Sequence, residues 1–246
     1  MSKAKETVEA TGADFLRDAL SAPSAAHRAR FAERGLACED SEEDTRWLLM
    51  RQLYLAHLEL RELEKAADVA EAMVLIATMP DVAHHDAARV HAALGDLEKA
   101  IQSQRLAARA APPERRSFHF WSLATLQHFA GREDGALASL DRAERWATRD
   151  RTLIRAHRAY VHVAAGRTPE GLAELLSEVS DAKARDGYAG FLLGMIWYHI
   201  GDTRSAAAEL RAFLRRHAGA DTAKTLTLIE ELRRARAVLV EVDAPD

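Results

Sequence analysis

Arg61-Glu-Leu-Glu-Lys-Ala66 and Gly95-Asp-Leu-Glu-Lys-Ala100 are nearly one hexapeptide written twice, 95 − 61 = 34 residues apart, each at the bend between two helix-like stretches. A helix before and a helix after such a bend cannot bury their apolar faces alone. A unit recurring at this period is therefore one layer of a stacked helical solenoid. The same bend returns at Gly131 in Phe-Ala-Gly-Arg, at Gly166 in Ala-Ala-Gly-Arg and at Gly201 in His-Ile-Gly-Asp. Glycine suits these points because a helix commonly ends with the next residue in the left-handed region, which glycine enters without a Cβ clash.

Five residues after each bend stands a small side chain, Ala66, Ala100, Ala136, Gly171 and Ala206. Seven residues before it stand Tyr54, Ala88, Ala124, Ala159 and Gly194, small in four cases. Small residues let the two helices of a hairpin cross closely. Apolar positions at helical spacing flank them, such as Leu53, Leu123, Leu193, Leu140, Leu175 and Leu210. Thr168-Pro169 reads as an N-cap with proline at the first helical position, and Pro80 and Pro112-Pro113 punctuate repeat ends.

With 34 basic against 38 acidic residues the net charge is −4, which disfavours nucleic acid, since binding it needs a basic face. Six prolines and 12 glycines are too few for a loop-rich β fold, so the expectation is all-α. The amino terminus shows no apolar core of a signal peptide, no run approaches the roughly 18 apolar residues of a membrane span, and one cysteine, Cys38, agrees with a reducing compartment. These features predict a cytoplasmic chain. Lysine occurs only at Lys3, Lys5, Lys65, Lys99, Lys183 and Lys224, and the resulting arginine bias points to a GC-rich bacterial source.

From residues 47 to 215 the chain resembles the tetratricopeptide repeat family, most clearly in Leu193-Gly-Met-Ile-Trp-Tyr-His-Ile-Gly-Asp-Thr-Arg-Ser-Ala206. It departs from that pattern where His57, His91 and His162 replace the usual tyrosine and where Gly171 replaces alanine. The expected fold is an all-α, right-handed helical-hairpin solenoid with terminal capping helices. Residues 1–11 read as a disordered N-terminus, 12–46 as a capping hairpin ended by Gly35 plus an acidic connector, 47–219 as about five repeats, and 220–246 as a capping helix started by Asp221 and a tail. In the connector Glu39-Asp-Ser-Glu-Glu-Asp44, Ser41 reads as the N-cap of the next helix. The tail Val238-Leu-Val-Glu-Val242 reads as a strand or docking segment.

The resemblance implies a groove lined by the first helix of each unit. One ladder of positions reads Arg51, His85, Trp121, Ala156, Phe191; a second Leu55, Arg89, Thr125, Tyr160, Met195; a third Leu58, Ala92, His128, Val163, Tyr198. The candidate partner-binding residues are Arg51, His85, Arg89, Trp121, His128, Tyr160, Phe191, Met195 and Tyr198. They suit an extended protein segment with an acidic portion and apolar anchors. The chain has no asparagine, which removes the asparagine ladder and the Lys/Asn carboxylate clamp that some members of the family use. An alternative occupant is the protein's own terminal segment.

No nucleophile elbow or phosphate-binding loop occurs, so no catalytic residue is assigned and no cofactor or metal is expected. The function expected is a non-catalytic scaffold or adaptor. A secretion-type chaperone shielding an apolar client is one alternative, and a metal-dependent enzyme built on His84, His85 and His91 is another. Trp146 and Trp197 are expected to be mostly packed.

Overall fold

The computed structural model describes residues 10–39, 41–76, 78–182, 187–219 and 222–244. The helices are α1 (Gly12–Leu20), α2 (Ala25–Leu36), α3 (Glu43–Glu59), α4 (Leu63–Ile76), α5 (Pro80–Ala93), α6 (Leu97–Ala110), α7 (Pro113–Phe129), α8 (Glu133–Trp146), α9 (Arg151–Ala164), α10 (Leu172–Ala182), α11 (Tyr188–His199), α12 (Thr203–His217), α13 (Thr222–Thr227) and α14 (Ile229–Val242). Among the described residues there is no strand. Each helix from α1 to α11 packs on its successor. Contacts between neighbours, repeated along the chain, make the solenoid.

The five hairpin bends share one geometry. Arg61, Gly95, Gly131, Gly166 and Gly201 all hold positive φ, between 60° and 89°. The amide that follows each reaches back five residues, Glu62 to His57, Asp96 to His91, Arg132 to Gln127, Arg167 to His162 and Asp202 to Trp197, at 2.8–2.9 Å. Carbonyls that the ending helix leaves unpaired are thereby satisfied.

The small residues at the crossings are sealed. Ala66, Ala100, Ala136 and Ala206 have no exposed surface, and a Cβ built on Gly194 would lie 2.6 Å from Leu210 Cγ. Tyr54, the large residue of its set, is equally buried and donates its hydroxyl to the Asp86 carbonyl at 2.9 Å, tying α3 to α5.

Several local expectations are corrected. Thr168 does not cap a helix: α10 starts at Leu172, and Gly171 holds φ 68° in the preceding loop instead of sitting at a crossing. Gly35 lies inside α2 and ends nothing; a Cβ there would meet Leu49 at 2.8 Å, so it is a close-approach site. Ser41 donates to the Gly35 carbonyl, and the N-cap of α3 is Glu42. Residues 238–242 are the last turns of α14, where Val238 is buried. Trp146 is 41% exposed, with the Arg116 guanidinium over its ring at 4.6 Å. Residues 1–9, Asp40 and Asp221 lie outside the described residues.

Candidate functional site

The expected groove residues all fall on the odd-numbered helices: Arg51 on α3, His85 and Arg89 on α5, Trp121 and His128 on α7, Tyr160 on α9, and Phe191, Met195 and Tyr198 on α11. Their side chains interlock along the series. Arg51 Nε lies 3.1 Å from Asp86 Oδ2, and Arg89 Nη1 lies 3.7 Å from Asp86 Oδ1. Burial pushes the Asp86 carboxyl up while both arginines pull it down. The cationic end of the face is thus partly neutralised by a carboxylate of its own, a pairing that ladder spacing alone did not expose.

Next come histidines, His119 and His157 buried, His85 and His128 half-buried. His85 Nδ1 faces Gln104 Oε1 at 2.8 Å, and Gln104 Nε2 donates to the His119 carbonyl at 3.0 Å. His119 Nε2 meets Asp81 Oδ2 at 3.1 Å, while Arg115 grips Asp81 through Nε at 2.6 Å and Nη2 at 2.9 Å. Burial alone would raise the Asp81 carboxyl; the bonds from Arg115 and His119 overcome it and hold the group below the usual carboxylate range. On α7 and α9, Trp121 Nε1 donates to His157 Nδ1 at 3.0 Å. The His157 proton then sits on Nε2, from which it reaches His128 Nδ1 at 3.1 Å. Burial pushes His85 down to about 3 and His128 down to about 4, with His157 also well below its ordinary value. These imidazoles are neutral near pH 7 and serve as packing and hydrogen-bonding groups.

Tyr160, Phe191 and Met195 do not present themselves to solvent; they are 1%, 0% and 4% exposed. What covers this face is the chain's own C-terminus. Helix α13 packs on α3 and α5, and α14 packs on α11 and α12. Leu226 joins the core around Trp47 and Tyr54, while Leu232, Ala235 and Val238 join the core around Tyr160 and Phe191. Arg89 Nη2 donates to Thr227 Oγ1 at 2.5 Å, and Tyr188 donates its hydroxyl to Glu231 Oε1 at 3.2 Å. Arg234 donates to the Phe129 carbonyl at 3.0 Å, lies 4.4 Å from the Phe129 ring centre and hydrogen-bonds Tyr160. The segment therefore touches every odd-numbered helix from α3 to α11.

Glu231 was missed by the sequence reading because Glu230-Glu231 looks like a solvated acidic pair. The signal available was its place on the apolar stripe, three residues after Leu228 and four before Ala235. Burial pushes its carboxyl up to about 7. His84, His85 and His91 do not converge, with His85 on Gln104 and His91 Nε2 3.5 Å from Glu71. Among the described residues no three His, Cys, Asp or Glu side chains are grouped to hold a metal ion, and no helix is long and apolar enough to cross a membrane.

No family model matches this chain, and no curated protein matches it either. Among solved structures, a complex described as Naa15/Naa10 bound to HypK-THB aligns with 94% of this chain at 14% identity and a TM-score of 0.33. The chain spans 41% of that neighbour's length. Superposition at this level carries neither fold nor function across, and the helical-repeat architecture rests on the geometry above.

Proposed function

We propose that this chain is a non-catalytic protein-interaction scaffold whose odd-helix face takes an amphipathic helical segment of a partner in exchange for its own α13–α14. The observation that supports this reading is the resident occupant itself. Leu226, Leu232, Ala235 and Val238 supply apolar anchors, and Arg234 and Glu231 supply polar contacts, so the face is built to hold a helix by its side chains. An acidic residue near Arg51 and Arg89 adds affinity only by competing with Asp86. Partner selection then depends more on apolar anchors than the spacing of basic residues implies.

The test uses the 246-residue chain and a fluorescent peptide covering residues 222–244. Leu232→Glu with Val238→Glu places two charges against the apolar core and releases the resident helix. The peptide is expected to bind this variant at least tenfold more tightly than the unmodified chain, by fluorescence anisotropy, with far-UV circular dichroism showing that the repeats stay helical. Equal binding to both chains, or binding to neither, overturns the proposal.

A further inference from the structure

Between α5, α7 and the point where α13 gives way to α14 lies a cavity of about 410 Å³, within the size range of small-molecule sites. Trp121 and Tyr188 meet there edge to face, ring centres 5.6 Å apart and planes at 87°, forming a corner of two π-systems. Phe118, half exposed, forms the outer lip. Glu231 reaches into the same space, 6% exposed, with Tyr188 donating to its carboxyl. Asp150 and Glu230, the latter paired with Arg233, add two further carboxylates to the lining, and Arg89 is the arginine among the lining residues, engaged by Asp86 and Thr227.

An aromatic corner closed by a carboxylate is the chemistry that holds an organic ammonium head: ring faces attract the cation and the carboxylate supplies the counter-charge. A metal ion does not suit these walls, which offer rings and no grouped ligands among the described residues. An anion would face Glu231 and Asp150. We infer that this cavity is a binding site for a small organic ammonium ion, seated with its charged head against Glu231 and the Trp121–Tyr188 corner and its apolar body toward Phe118. The cavity wall is the chain's own α13–α14 junction, which favours a free small molecule over a side chain of another protein. This inference stands apart from the interaction reading, since it concerns the segment in its docked state.

Proton linkage gives the site a second signature. With its carboxyl pushed up to about 7, Glu231 is mostly protonated at pH 6, and an ammonium beside it draws it into the carboxylate form. Binding at pH 6 therefore releases a proton to solvent, while the ligand stays charged and no bond is made or broken.

Isothermal titration of the 246-residue chain with phenethylamine at pH 6, in two buffers of different ionisation heat, tests this, with choline as a second cation and 2-phenylethanol as the uncharged control. The expected result is saturable one-to-one binding of phenethylamine with proton release, at least tenfold weaker binding of 2-phenylethanol, and a tenfold or greater loss with no proton release in Glu231→Gln. Failure of both cations to bind at millimolar concentration overturns the inference. So does equal binding of the alcohol, or an unchanged affinity in Glu231→Gln. The buffer dependence is read on the unmodified chain, so the test holds even where the variant is poorly folded.

Discussion

Arg61 occupies the bend position that glycine holds in the other four hairpins, at φ 60°. A non-glycine residue pays roughly 1–2 kcal/mol in the left-handed region, part of which glycine returns as unfolded-state entropy. Arg61 is exposed, so little packing is lost on replacement. Arg61→Gly is expected to raise stability by about 0.5–1 kcal/mol in urea unfolding. The opposite holds at Gly194, where Gly194→Ala drives a Cβ into Leu210 and is expected to cost about 1–3 kcal/mol. Leu210→Ala opens a cavity in the same place and costs about 2–5 kcal/mol alone, so the double variant should cost less than the sum of the two, and the double-mutant cycle measures the coupling. Both residues were legible in the chain because their roles depend on local backbone geometry repeated at a fixed period. The Asp86 pairing with Arg51 was not, because it joins two repeats and depends on side-chain direction.

At the level of elements, sequence marks an amphipathic helix but not the surface that hides its apolar stripe. The end of the chain shows the point: its pattern reads as a capping helix followed by a strand or docking segment over residues 238–242, and the structure makes residues 229–242 one helix laid across the odd-numbered face. Similarly, Thr168-Pro169 has the chemistry of a helix start, yet the chain stays non-helical through Gly171. Helix α14 also carries a pH dependence. Glu231 is raised from 4.5 to about 7 in the fold, chiefly by burial, so its protonated form is the one the docked helix favours. That contribution is full below about pH 4.5 and is lost as pH rises through 7. Facing it are Tyr188 and Arg234, with Glu230 beside it. His128 acts in the other direction: it is lowered to about 4, so stability falls as pH drops below its ordinary value of 6.5. Comparing Glu231→Gln with the unmodified chain isolates the acid. The variant should gain relative stability between pH 5 and pH 8, by up to roughly 3 kcal/mol, in urea unfolding series.

For the whole molecule, repeats stacked by neighbour contacts are joined by one element that ignores sequence order. The α13–α14 segment reaches α3 near the start of the array and α12 at its end. Releasing it with Leu232→Glu and Val238→Glu is expected to uncover the Phe191 and Tyr160 surface and weaken the distant units together. Hydrogen exchange should then speed in α3 and α5 as well as in α11. Faster exchange confined to α14 would mean that the repeats do not depend on their occupant.

Because the resident helix is covalently joined to the surface it covers, it competes at an effective concentration in the millimolar range however dilute the protein is. An incoming segment of equal intrinsic affinity stays excluded at micromolar levels. Entry requires a better fit, several linked contacts, or a change that pries the resident away. Protein dose alone cannot open this face, since every added copy arrives with its own competitor attached.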